Sequence, residues 1–192
     1  MKSLCLIFAV LFLFIQQSSE KKFYVSELGF SFEVPNWYGA KNENFNKMLK
    51  KHNGNVENTI KSVGTGSIDL VRYYKSATNK DVKVFLDCSL GGVHEKLRDF
   101  DKLIKFERAI KLNMPNLKIL KPITATNISG KKAIVSYISY NEPDKQGNSF
   151  KIFSKSLKIF MGNYTYNIYM QTKDVKDIEV FDRLIKTIAI TR

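Results

Sequence analysis

FKIFSKSLKIFMGNYTYNIYMQT, residues 150–172, is the stretch on which the fold turns. Two β-rich runs, 150–161 and 164–172, meet at Gly162-Asn163. A two-residue link of this kind suits a tight hairpin turn between antiparallel strands. In the second run Tyr164, Tyr166, Ile168 and Met170 alternate with polar residues, so one face of that strand belongs to a core. Toward the C-terminus the period changes. Ile178, Phe181, Leu184, Ile185 and Ile188 recur at helical spacing, which predicts an amphipathic helix over about 176–188 with those residues facing inward.

Working back toward the N-terminus, runs 117–126 and 131–140 read as strands separated by Ser129-Gly130. Before them an apolar stripe of Phe100, Leu103, Ile104 and Ile110 predicts a helix over about 96–112, stopped by Met114-Pro115-Asn116. Two further β runs, 67–75 and 81–90, are joined by the turn-like segment 76–80. Residues 42–62 form a polar, helical segment in two pieces, broken near His52-Asn53-Gly54. Phe45, Met48 and Leu49 share one face of the first piece, and Val56, Ile60 and Val63 share one face of the second. The first ordered elements are a hairpin, 23–25 and 30–34, turning at Leu28-Gly29 and ended by Pro35, which has no N–H to give to a ladder. The order β-β-α-β-β-α-β-β-β-β-α predicts a single α+β domain over residues 20–192, an antiparallel β-sheet with helices packed on its faces. No repeat or linker interrupts it.

In front of this domain stands a different kind of segment. Lys2 is followed by an unbroken apolar run from Leu4 to Ile15 and then by Gln16-Gln17-Ser18-Ser19. These are the parts of a secretory signal peptide, read here as residues 1–19 with Ser19 as the last residue removed. The apolar run falls short of the roughly 17–25 residues that a spanning helix requires. No integral membrane segment is therefore expected after signal removal, and the expected location is secreted or periplasmic. Of the two cysteines, Cys5 leaves with the signal. Cys88 alternates in phase with Val82, Val84, Leu86 and Leu90, the buried side of a strand, where a thiol is inert packing. The formal net charge of +13 favours acidic partners, although the lysines responsible are spread along the chain.

Several motifs resemble the PsbP-like and DcrB-like group of small exported domains. Phe30-Ser31-Phe32-Glu33-Val34-Pro35-Asn36-Trp37 is an apolar strand ending in Val-Pro-x-Trp, and Gly130-Lys131-Lys132-Ala133 opens a later strand. The hairpin Gly162-Asn163-Tyr164-Thr165-Tyr166 and the closing helix with Phe181 and Ile185 extend the likeness over most of residues 23–190. The resemblance implies an α/β/α sandwich and accessory work without catalysis.

The residues themselves offer no catalytic constellation. The usual bases are limited to His52 and His94, the latter beside Glu95, and there is no Gly-x-Ser-x-Gly elbow for a nucleophile. Two histidines and one mature cysteine do not supply the usual zinc sets, and no loop has calcium-binding spacing. Gly64-Thr65-Gly66 lacks the Lys-Ser/Thr ending of a phosphate loop. Asp69, Asp87 and Asp174 are carboxylates without a pattern. Catalytic, metal and cofactor sites are accordingly expected to be none.

For binding, Trp37 and Tyr38 are candidates for an aromatic platform, set against a plug that locks the first hairpin to the sheet. Lys131, Lys132, Lys151, Lys155 and Lys158 are candidates for a basic strip, with Phe153, Tyr137 and Tyr140 available to stack. Against that stands the ordinary use of charge to keep a strand soluble. Asn127 and Asn163 begin N-glycosylation patterns. The leading expectation is an exported, non-catalytic binding or accessory protein docking on a protein partner. The alternatives are a binder of anionic lipid or nucleic acid surfaces and a secreted hydrolase.

Overall fold

The computed structural model describes residues 21–25, 28–42, 44–76, 85–92, 100–113 and 116–191. The export segment 1–19, Cys5, Val82, Val84, and His94 with Glu95 lie outside these residues, as do 96–99 of the expected helix and Met114-Pro115 of its stop.

The N-terminal hairpin forms as expected. Strand β1 (Lys21–Val25) pairs antiparallel with β2 (Phe30–Val34), with Phe23 opposite Phe32, and Gly29 in the turn takes φ 57. Pro35 ends β2, but the chain re-enters a ladder at once as β3 (Tyr38–Lys41). Two helices follow, α1 (Asn44–Lys51) and α2 (Val56–Ser62). The break between them is a left-handed cap: Asn53 and Gly54 have φ 53 and 75, and the Gly54 N–H donates to the Leu49 carbonyl at 2.9 Å. Asn55 then caps α2 by accepting from the Asn58 N–H at 2.9 Å.

Strands β4 (Ser67–Tyr74) and β5 (Phe85–Gly92) lead to helix α3 (Phe100–Leu112). The β-rich half comprises β6 (Lys118–Ile128), β7 (Lys131–Pro143), β8 (Ser149–Phe160) and β9 (Tyr164–Thr172). The β6–β7 turn places both Ser129 (φ 49) and Gly130 (φ 77) in the left-handed region, whereas the β8–β9 turn does so at Gly162 (φ 83). These are the twists that tight hairpins require. A short 3-10 turn (Val175–Asp177) runs into α4 (Ile178–Thr187), and β10 (Ala189–Ile190) closes the chain.

The strands make two sheets where the sequence predicted one. A small sheet has the order β1-β2-β10, and a seven-stranded antiparallel sheet has the order β3-β4-β5-β9-β8-β7-β6. The sequence reading missed β3 and β10. Both are short and become strands only through distant partners, Tyr38 opposite Tyr74 and Ala189 opposite Ser31. The expected α+β class holds.

Residues directly opposite in a ladder share a face, and alternate residues of one strand point the same way. One face of the large sheet therefore carries Leu86, Cys88 and Leu90 of β5, Tyr166, Ile168 and Met170 of β9, and Leu157 and Ile159 of β8. All are buried in one core with Phe23, Phe30 and Phe32 of the small sheet, Phe45 and Leu49 of α1, Ile60 of α2, and Phe181 and Leu184 of α4. Phe30 stacks on Tyr166 with ring centroids 3.9 Å apart and an interplanar angle of 10°, which joins the two sheets. Helix α3 lies along β6, at the far edge of the large sheet.

Candidate functional site

The structure separates the residues that the sequence marked for binding. Trp37 is buried in the core, while Tyr38, its neighbour at the start of β3, is exposed. The two do not form one platform: Trp37 is the plug and Tyr38 stands on an outer strand. The five lysines are divided by strand alternation. Lys131, Lys151 and Lys155 lie on the face that carries Leu157, whereas Lys132 and Lys158 lie on the opposite face. Lys155 is buried, and its ammonium pairs with the Asp182 carboxylate of α4, so it ties helix to sheet. Lys151 sits over the Phe153 ring at 5.2 Å. The aromatic partners divide likewise: Tyr137 is buried beside Lys155, and Tyr140 is on the other face, where burial and then the Glu142 charge push its hydroxyl up to about 12.

The groups considered for catalysis are also placed. His52 is half-buried at the end of α1. Cys88 is fully buried, and burial first, with the charges of Asp87 and Asp69 second, pushes its thiol well above the ordinary range. A thiol so placed is not a nucleophile. Ellman's reagent is therefore expected to leave Cys88 unlabelled in the folded protein and to label it on unfolding; rapid labelling under native conditions would refute its core placement. Among the described residues no group of three or more His, Cys, Asp or Glu side chains stands where a metal could be held. Asn127 accepts from the Gly130 N–H at 2.8 Å within its turn, and Asn163 donates to Glu57 at 2.9 Å.

The feature that sequence reasoning missed lies between α3 and β6. Ile104, Arg108 and Leu112 from the helix face Leu117 and residues 118–123 of the strand across a groove of about 610 Å³. Leu112 is 64% exposed and Leu120 is 37% exposed. They line one groove, whereas the other large exposed apolar side chains among the described residues lie elsewhere. β6 is an outer strand, paired with β7 alone, and its register shifts between Ile119 and Lys121 and again between Lys121 and Thr124. Pro122 sits within the second shift and gives nothing to a ladder. Such irregularities re-aim side chains, which is how six consecutive residues, 118–123, come to border one groove. Its charged members are Arg108, Lys118 and Lys121, and no described lining residue is a carboxylate. The signals available in sequence were Pro122 inside a strand and Leu112 beyond the helix stripe. Their meeting depends on tertiary packing.

No protein-family model matches the chain, and no curated protein matches it by sequence. Solved structures do match. Cyanobacterial PsbP (CyanoP) from Synechocystis superimposes with a TM-score of 0.53 at 10% identity, over 92% of this chain and 95% of that one. The fold is thus PsbP-like. The Ran-binding protein Mog1p of Saccharomyces cerevisiae gives a TM-score of 0.49 at 9% identity over 91% of this chain and 96% of its own. LpqN of Mycobacterium tuberculosis, involved in cell envelope biogenesis, gives 0.43 at 14% identity over 67% and 80%. Among the described residues no helix is long and apolar enough to cross a membrane.

Proposed function

We propose that this protein is an exported, non-catalytic accessory module that docks on a protein partner through the groove between α3 and β6. In this reading residues 1–19 are a cleaved signal, and residues 20–192 form the one domain that reaches the extracytoplasmic space. The observation that carries the reading is the pairing of two exposed leucines, Leu112 and Leu120, in one groove with a cationic rim. Apolar surface left in water is recovered on contact at about 25 cal/mol per Å². The rim of Arg108, Lys118 and Lys121, inside a field whose net charge falls from +13 to +12 when Lys2 leaves with the signal, selects a partner segment that carries carboxylates around its apolar anchors. The lysines read from the sequence lie on both faces of the sheet, which favours a defined protein seat over a flat anionic surface. Burial of Cys88 takes away the thiol nucleophile that a hydrolase would use.

The test compares two baits on an envelope extract of the source organism, the wild-type protein and the double variant Leu112→Asp/Leu120→Asp. Both positions are exposed, so the variant is expected to keep the wild-type melting temperature. The expected result is a partner with an acidic segment that wild type retains, that raised salt releases, and that the double variant loses. Equal recovery by both baits, or wild type running as a free monomer with nothing bound, refutes the proposal.

A further inference from the structure

The face of the large sheet that turns away from Phe30 is covered in one half, where Ile134, Ile138 and Ile152 are buried with Ser136 and Ser154 between them. In the other half it is not. Tyr38, Tyr74 and Phe85 stand directly opposite one another across β3, β4 and β5. The next row on the same face is Arg72, Asp87 and Tyr169 across β4, β5 and β9. The rings adjoin: Tyr74 and Phe85 have centroids 6.1 Å apart, Phe85 and Tyr169 5.7 Å, and the Arg72 guanidinium lies 5.3 Å from the centre of Phe85.

Asp87 is the centre of this group. Its Oδ2 accepts from Arg72 Nε at 2.9 Å, from Arg72 Nη2, and from the Tyr169 hydroxyl at 3.0 Å. Among the described residues its Oδ1 has no hydrogen-bond partner, and the side chain is only 2% exposed. Burial raises the Asp87 carboxyl against the pull of Arg72 and Tyr169. A half-satisfied buried carboxylate is costly, and apolar residues of similar volume would have served packing better. Arg72, by contrast, keeps 41% of its side chain in solvent.

We infer that this platform of Tyr38, Tyr74, Phe85 and Tyr169, with Arg72 and Asp87 at its centre, binds a neutral saccharide. The ligand's chemistry follows from the balance of charge and surface. One guanidinium sits against one carboxylate, with exposed Asp69 nearby, so an anion meets Asp87 and Asp69 while a cation meets Arg72. A neutral ligand meets neither penalty. The rings are inclined to one another, by 48° for Tyr74 and Phe85 and 78° for Phe85 and Tyr169, and a ring face left in solvent, as on Tyr38, carries partial negative charge that suits the C–H bonds lining one side of a pyranose ring. Arg72 donates, the exposed Asp69 carboxylate accepts, and the tyrosine hydroxyls do both, which is the mixed set that sugar hydroxyls need. This site is separate from the α3–β6 groove and stands or falls without it.

The test is an NMR titration of the folded protein with maltohexaose, cellohexaose and hexa-N-acetylchitohexaose. At least one is expected to shift the ring signals of Tyr38, Tyr74 and Tyr169 in a saturable way. Tyr38→Ala is expected to weaken that binding by about tenfold. Tyr169→Phe, which removes one donor to Asp87, is expected to weaken it as well, and Leu112→Asp to leave it unchanged. Tyr38 is exposed on an outer strand, so its variant reports on binding even where Tyr169→Phe alters the fold. Absence of shifts with all three sugars at about 10 mM, or an affinity that Tyr38→Ala leaves unchanged, overturns the inference.

Discussion

Phe30→Ala is expected to remove about 3–5 kcal/mol of stability and to lower the melting temperature by roughly 10 °C. Phe30 is fully buried and sits on β2, the central strand of the small sheet. Its ring stacks on Tyr166 of the large sheet and meets Phe32 edge-on at 5.6 Å and Phe23 at 6.4 Å. Truncation deletes the aromatic contact and leaves a void that β2 cannot close, because it is held by β1 on one side and β10 on the other. Phe30→Leu keeps most of the volume and is expected to cost less than half as much. Tyr24→Ala, an exposed position on the same hairpin, is expected to stay within about 0.5 kcal/mol of wild type. Urea unfolding of the three variants decides the matter. A loss below about 1 kcal/mol for Phe30→Ala shows that the small sheet is not joined to the large one through this ring.

The local parts of this fold are written in local signals. Gly162 and Ser129-Gly130 mark turns because their backbone angles exclude most residues, and the stripe of Phe181, Leu184 and Ile188 marks α4 because its period exceeds that of a strand. The parts missed are those that distant pairing creates. Ala189 and Ile190 are a strand only because β2 offers an edge, and residues 38–41, with Gly39 among them, follow Pro35 and Asn36 and read as coil. Gly39 is needed because a Cβ there would stand 2.3 Å from the Tyr73 ring, a clash no local pattern announces. The site was less legible still. The sequence reading grouped Trp37 with Tyr38 and Lys155 with Lys158, whereas strand alternation in the structure sets Lys155 with Phe153, Leu157 and Ile159 on a buried face. What alternation did not supply was the partner of Lys155, nor the approach of α3 to β6 that sets Leu112 beside Leu120. Those depend on packing between elements far apart in the chain.

The partner of Lys155 gives the second large effect, and its size differs between the two residues of the pair. The Lys155 side chain is 10% exposed and that of Asp182 is 48% exposed. Asp182→Ala strands an ammonium between the sheet, the Tyr137 ring at 5.7 Å and α4, where water reaches it poorly. Breaking a buried pair in this one-sided way costs about 3–5 kcal/mol when both charges are inside. Because Asp182 is half in water, the expected loss here is smaller, roughly 1–3 kcal/mol. Lys155→Met removes the charge with its desolvation cost and keeps an unbranched stem of similar length beside Leu157 and Met170. It is expected to fall within about 1 kcal/mol of wild type, on either side. The double variant Lys155→Met/Asp182→Ala should then match Lys155→Met alone, since Lys155 is the cation that Asp182 pairs with among the described residues. Urea unfolding of the four proteins measures the cycle. Equal losses for the two single variants, or a Lys155→Met less stable than Asp182→Ala, would mean that the ion pair itself holds α4 to the sheet, in place of the packing of Phe181 and Leu184 on which the fold as described depends.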